Sequence, residues 1–356
     1  SEQDTEETIG SPRPSVLLSG EWTSLEWVVD HLNRALVNHE VAGQKTVRQQ
    51  QAQCLRNILD RAFEHEQHQA LFERAIPIIV KAIQWEAVRA RNRSQQIQSL
   101  GYDVLAMLSF NVHLKSVVAH GLGLDTLVAA LDASQSGRTR SVESDTIERS
   151  ACQILTNLVK DGGTAEKISL LGGMEATLAL LRRSVADANH VEKACVALEY
   201  MVRQPACSKH PLAAVEARRA IEYAINTHRR SPKVQSSCCN LIAYLVLARH
   251  LPAPEFTSDN IGAVALALKE VRPQDQSYVR EAARNALDQI ARLSAHHAMR
   301  VKEEGDKCGV ELTALVPALT HLLDTSPAPS HSSDGSGRTS DSQRKGGWGL
   351  FARKGS

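Results

Sequence analysis

The nonapeptide ACQILTNLV, Ala151 to Val159, has near-copies along the whole chain, and their spacing constrains the fold more than any other feature. With the Val or Ile that opens each copy as a marker, the series is Val47, Ile97, Ile147, Val191, Val234 and Val279, at intervals of 50, 50, 44, 43 and 45 residues. After each marker, in AQCLRNILD, GYDVLAMLS, ACVALEYMV, SCCNLIAYL and AARNALDQIA, apolar residues fall three or four apart, the period of one buried helix face. A helical unit of this length cannot bury its apolar face alone, so such a series predicts a stack of units with one continuous core. Leu155 and Leu198 take the central buried slot of their copies, and Cys152, Cys195 and Cys238 share another, 43 residues apart. One slot in successive repeats has one environment, so these cysteines are expected to be buried packing groups rather than reactive thiols.

A second pattern precedes most copies: a short apolar segment, a glycine or polar break, then another apolar helix. KSVVAHGLGLDTLVAALDAS and EKISLLGGMEATLALLRRS show it most clearly, with Gly121, Gly172 and Gly173 expected at the turn. Each unit is therefore expected to hold three helices. The scarcity of aromatics, 4% of the chain, and the long Ala-, Leu-, Val- and Gln-rich stretches agree with an all-α fold.

On these residues the chain resembles the armadillo-repeat family, whose unit of about 40–47 residues has a short first helix, a glycine turn, a second helix and a long third helix. The resemblance is specific from Lys115 to Leu247 and weakens toward Trp22 and Leu323, where the related HEAT architecture stays open and atypical capping repeats are expected. It implies a right-handed α-solenoid of about six to seven three-helix repeats over residues 21–325. Residues 1–20, acidic and then proline-containing, are expected to form a disordered tail, as are the Ser-, Pro- and Gly-rich residues 326–356, which end in a basic and aromatic segment.

No motif for catalysis accompanies the repeats. There is no GxSxG, phosphate loop or dinucleotide fingerprint, and EHEQH has one residue too few between its glutamate and second histidine for a zinc helix. The dyads His39-Glu40 and His65-Glu66 lie 26 residues apart, out of phase with the repeat, unlike the phased dyads of helical di-iron hydroxylases. Neither a metal nor a cofactor is expected. The formal net charge of +1 argues against nucleic-acid binding by the chain as a whole. No apolar run approaches the roughly 18 residues of a membrane span, and the acidic start SEQDTEET is unlike a signal or transit peptide. An intracellular protein is expected, cytoplasmic first and nuclear as the alternative.

Binding is the expected role, and three surfaces compete for it. The armadillo resemblance implies a groove lined by third helices, where one slot carries an Asn that holds a peptide backbone. That slot here holds Asn57, Met107, Asn157, Tyr200, Ala243 and Gln289, of which Asn57, Asn157, Tyr200 and Gln289 are candidate partner-binding residues. The Trp expected four residues earlier in nuclear-import receptors is missing: Gln153 stands before Asn157. A second candidate is a basic edge at the junction before each third helix: Arg89, Arg91 and Arg93; Arg138 and Arg140; Arg182 and Arg183; Arg229 and Arg230. Such an edge suits acidic or phosphorylated partners, although cations also complement helix C-termini. Ser94, Ser141, Ser184 and Ser231 beside these arginines are candidate phosphorylation sites. The third is the tail motif Trp348, Leu350 and Phe351, suited to a partner groove or a weak membrane contact. The chain is thus expected to be a scaffold or adaptor for a peptide or protein partner, with a permanent structural subunit as the first alternative and a metal-dependent solenoid enzyme as the second.

Overall fold

The computed structural model describes residues 24–37, 44–64, 68–88, 95–132, 141–204, 211–247, 258–270 and 277–324. Among them there are sixteen α-helices and no strand. Six long helices correspond to the six copies of the repeat: α2 (Gln44–Arg61), α4 (Gln95–Leu108), α7 (Val142–Leu158), α10 (Ala188–Val202), α12 (Pro232–Leu247) and α14 (Ser277–Ala291). They stack in that order, each on the next, to form one layer. The second layer is α1 (Leu25–Val37), α3 (Gln69–Val88), α6 (Leu124–Asp132), α9 (Gly173–Arg183), α11 (Pro211–Thr227), α13 (Ser258–Glu270) and α15 (Ala295–Cys308), with α5 (Val112–Leu122) bridging α3 to α6. The short α16 (Pro317–Asp324) closes the stack against α14 and α15. This is an armadillo-like α-solenoid.

The full three-helix unit occurs twice, as α5-α6-α7 and as α8-α9-α10, where α8 is Gly162–Leu170. The flanking units are helix pairs among the described residues: for the outer units this is the arrangement left open by the weaker resemblance, whereas the α11-α12 pair falls inside the Lys115–Leu247 span, where three helices are expected. What separates the middle units is local chemistry. Asn111 accepts from the His113 and Leu114 amides (2.9 and 3.2 Å) and starts α5, and Asp161 accepts from the Thr164 amide (2.9 Å) and starts α8. The Thr164 amide and hydroxyl also hold the Asp161 carboxyl below its ordinary pKa. The first helices then end at glycines in left-handed or related geometry, Gly123 (φ 78°) and Gly172 (φ 84°), and α6 leaves α5 at 78°. Gly121, expected at this turn, lies inside α5. Gly173 is needed for another reason, since a Cβ there would stand 2.7 Å from the Ile168 carbonyl oxygen.

One hydrophobic cluster runs without interruption from Leu25 to Leu319. Leu155 and Leu198 are fully buried in it, as are Cys152, Cys195 and Cys238. The Cys195 and Cys238 sulfurs of adjacent third helices are 3.6 Å apart, so the shared slot is a point of contact between repeats. Buried polar side chains close the helix ends that the stack covers. Gln51 of α2 donates to the Ala35 carbonyl near the end of α1 (3.4 Å), and Gln235 of α12 to the Ile225 and His228 carbonyls at the end of α11 (2.9 and 3.0 Å). Glu148 of α7 accepts from the Ser184 hydroxyl (2.9 Å) and pairs with Arg183 (3.5 Å) at the end of α9.

Leu155→Ala and Leu198→Ala should each lower stability by about 2–5 kcal/mol through a core cavity. Gly173→Ala should also be destabilising, because its new methyl group meets the Ile168 backbone as well as the Ile168 side chain. Thermal melts followed by circular dichroism check all three, and an unchanged midpoint in both leucine variants would show the repeat register to be wrong.

Candidate functional site

The third-helix face is the surface on which the sequence places its groove residues, and the structure divides it into two unlike halves. On the α4–α7 side the polar groups are already spent on one another. Gln153 donates to Asn157 Oδ1 (3.2 Å), Asn157 Nδ2 donates to Ser109 Oγ (2.8 Å), and Ser109 donates to the Ala106 carbonyl (2.7 Å). The Ser150 hydroxyl donates to Asp103 across the same pair of helices. Asn157 is only 3% exposed, because α7 lies between α4 and α10 and is covered by α5 and α6. It therefore ties one repeat to the previous one and is not a partner-binding residue in this structure, contrary to the sequence expectation. Asn57 and Gln289 are half-exposed, each in an i, i+4 side-chain bond along its own helix, with Gln53 (3.1 Å) and Asn285 (3.5 Å).

Beyond α10 the exposed row slips by one residue. In α10 it runs through Glu192, Val196 and Tyr200; in α12 it runs through Ser236, Asn240 and Tyr244. Counted from the aligned Cys195 and Cys238, the slots of Val196 and Tyr200 would fall on Cys239 and Ala243, both fully buried. Tyr244, not Ala243, thus stands next to Tyr200. The guanidinium of Arg203, the residue that caps α10, lies over both rings, 4.9 Å from the Tyr200 centroid and 3.9 Å from that of Tyr244. Arg203 also pairs with Glu199 one turn back, whose carboxyl is pushed up by burial against the pull of that arginine.

Between α12 and α14 the face opens into a solvent-accessible cleft of about 570 Å³, whose lining includes Ser236, Asn240, Tyr278, Glu281, Arg284, Asn285 and Pro317. Asp288, also in the lining, accepts from the Ala318 amide at the start of α16 (2.9 Å) and from Arg292 (2.7 Å). Ser236, Asn240, Glu281 and Arg284 make no side-chain hydrogen bond to the described protein, in contrast to the α4–α7 half. These residues escaped the slot-based reading, but the period marks them: Tyr200 and Tyr244 are 44 residues apart, Asn240 and Asn285 are 45, and Ser236 and Glu281 are 45.

The other candidates fare unequally. Arg89, Arg91, Arg93, Arg138 and Arg140 lie outside the described residues, as do Ser94, the dyads His39-Glu40 and His65-Glu66, and the tail residues Trp348, Leu350 and Phe351. Arg183 is turned inward, its side chain 19% exposed, and donates to the Leu131 carbonyl besides pairing with Glu148, so it braces α6, α7 and α9 instead of lining an edge. Arg182, Arg229 and Arg230 are exposed. The two junctions that carry them touch, since His228 Nε2 is 2.6 Å from the Val185 carbonyl. Ser184 is buried under its bond to Glu148 and is no phosphorylation site in the folded chain; Ser141 is half-buried and accepts from the Ser144 amide (3.1 Å) as the cap of α7. Among the described residues no three His, Cys, Asp or Glu side chains come together as a metal site, and no single helix is long and apolar enough to cross a membrane.

No family model matches the chain, and no curated protein matches it. Similar solved structures include an engineered protein from a structural genomics consortium, 16% identical over 74% of this chain and 97% of that one, with a TM-score of 0.49. Another is a designed armadillo repeat protein in complex with the peptide (KR)4, 17% identical over 73% of this chain and 99% of that one, with a TM-score of 0.48.

The buried thiols give a pH-dependent expectation. Burial pushes Cys54, Cys152 and Cys239 up to about 12, so at pH 8 they stay protonated and unreactive. A thiol-exchange reagent at pH 8 should modify the partly exposed Cys308 before these three, which should react only on unfolding, as mapped by mass spectrometry. Above pH 9 the unfolded chain's thiols ionise while the folded ones keep their protons, so the folded state binds more protons and stability falls as pH rises. The slope is up to about 1.4 kcal/mol per pH unit for each such thiol, and Cys152→Ala should make it shallower in melts between pH 9 and 11.

Proposed function

We propose that the chain is a non-catalytic scaffold that binds an extended peptide segment of a protein partner along the third-helix face, at the α10–α12–α14 end. The observation that carries this reading is the contrast between the two halves of that face. The α4–α7 half satisfies its own polar groups, whereas the α12–α14 half presents Ser236, Asn240 and Asn285 to an open cleft. Each primary amide has a donor and an acceptor within one side chain and so can bond both the C=O and the N–H of a peptide unit. A strand rises about 3.3 Å per residue, and stacked helices lie about 8–10 Å apart. Side chains on neighbouring third helices therefore address every third residue or so of an extended ligand. The cleft also has an aromatic wall, Tyr278, which is 46% exposed and available to pack against a ligand side chain. We place the protein inside the cell, in keeping with its sequence.

Selection of binders from a random decapeptide library against the intact chain would test the reading. Asn240→Ala with Asn285→Ala should weaken the selected peptides about ten- to a hundredfold, two backbone-directed bonds being lost, while the melt stays as in the wild type. Arg182→Glu with Arg229→Glu and Arg230→Glu should leave those peptides bound, with little change in salt dependence. The opposite pattern, loss with the charge reversals alone, would move the site to the basic edge.

A further inference from the structure

We infer that the Tyr200–Arg203–Tyr244 stack is a carboxylate-binding subsite, so that the peptide taken by the groove carries an Asp or Glu at a fixed position. The inference rests on the groove reading above and adds to it the chemistry of one ligand side chain. A planar guanidinium lies against two tyrosine rings from adjacent repeats, at 4.9 and 3.9 Å, which restricts the orientation of its fork before any ligand arrives. Among the described residues its side-chain hydrogen-bonding partner is Glu199, reached through Nη2. Whichever Nη2 hydrogen Glu199 accepts, one two-pronged edge of the guanidinium remains, Nε with Nη2 or Nη1 with Nη2. The side chain is 35% exposed, and that remaining edge is where the ligand is placed. Two rings crowd the guanidinium carbon, and an anion that comes in along the plane of the fork meets the geometry in which a carboxylate makes two parallel bonds.

Charge decides between carboxylate and phosphate. Glu199 already offsets the single positive charge of Arg203, and a phosphate dianion would face that buried carboxylate across the guanidinium; a singly charged carboxylate meets half the repulsion. Position links the stack to the groove. Tyr244 and Asn240 are four residues apart on α12, one turn and about 6 Å along one face, so a peptide held at Asn240 and Asn285 reaches Arg203 within about two or three residues.

The test uses the same random decapeptide library, panned on the intact wild-type chain, followed by synthetic versions of an enriched peptide. Enriched peptides should share one acidic position, and replacing that residue by glutamine should weaken binding about tenfold, with phosphoserine there binding no more tightly than glutamate. In Arg203→Gln the glutamate and glutamine peptides should bind alike, at the wild-type affinity for the glutamine peptide. Arg203→Lys keeps the charge, the ring contact and a partner for Glu199 but not the fork; its melt should match the wild type while the preference for glutamate falls. Asn240→Ala with Asn285→Ala should weaken both peptides equally. Enrichment without an acidic position, a glutamate preference that survives Arg203→Gln or is undiminished in Arg203→Lys, or tighter binding of phosphoserine would each overturn the carboxylate subsite and leave the groove standing. Absence of any enriched peptide, or binding indifferent to the asparagine pair, would instead overturn the groove reading on which it rests.

Discussion

Every unit of this chain depends on a neighbour to cover the apolar side of its long helix. A third helix such as α7 presents Ile154, Leu155 and Leu158 in different directions, and no single partner could shield them all. Burial is completed by α4 before it, α10 after it, and α5 and α6 on top. Cohesion is thus a nearest-neighbour property, and the continuous cluster from Leu25 to Leu319 is its sum.

The same covering decides which polar residues remain available to a ligand. Where α5 and α6 overlie α7, Asn157, Glu148 and Thr156 are withdrawn from water and must find partners in adjacent units, since an unpaired buried amide or carboxylate costs several kcal/mol. Arg183 is drawn into that network too. At the α12–α14 cleft, by contrast, Asn240 makes no side-chain hydrogen bond to the described protein and Asn285 is exposed. A residue's type is therefore a poor guide to its role here; its place along the stack decides.

Periodicity made much of the fold legible. Six markers became six long helices in register, Leu155, Leu198 and the three aligned cysteines are buried, and the two best-defined units are those with a first helix. Less was legible at the site. The pattern could not show that Arg183 turns inward toward Glu148, because a basic residue at a helix end has the same sequence signature whether it faces water or caps a neighbour. Nor could it place the glycine break within α5 and α6, where Gly121 and Gly123 are equally suited by composition and only the backbone geometry separates them. Tyr244 was missed because fixed slots assume identical rotation of every repeat, although its spacing from Tyr200 matches the period.

That unequal rotation makes the repeats poor interchangeable parts. One residue on a helix is 100° of azimuth, and α12 is turned by about that angle relative to its sequence alignment, which is what brings Tyr244 rather than Ala243 beside Tyr200. A unit transplanted along this stack by sequence alignment alone would carry its outward row into the core, where Cys239 and Ala243 are buried here.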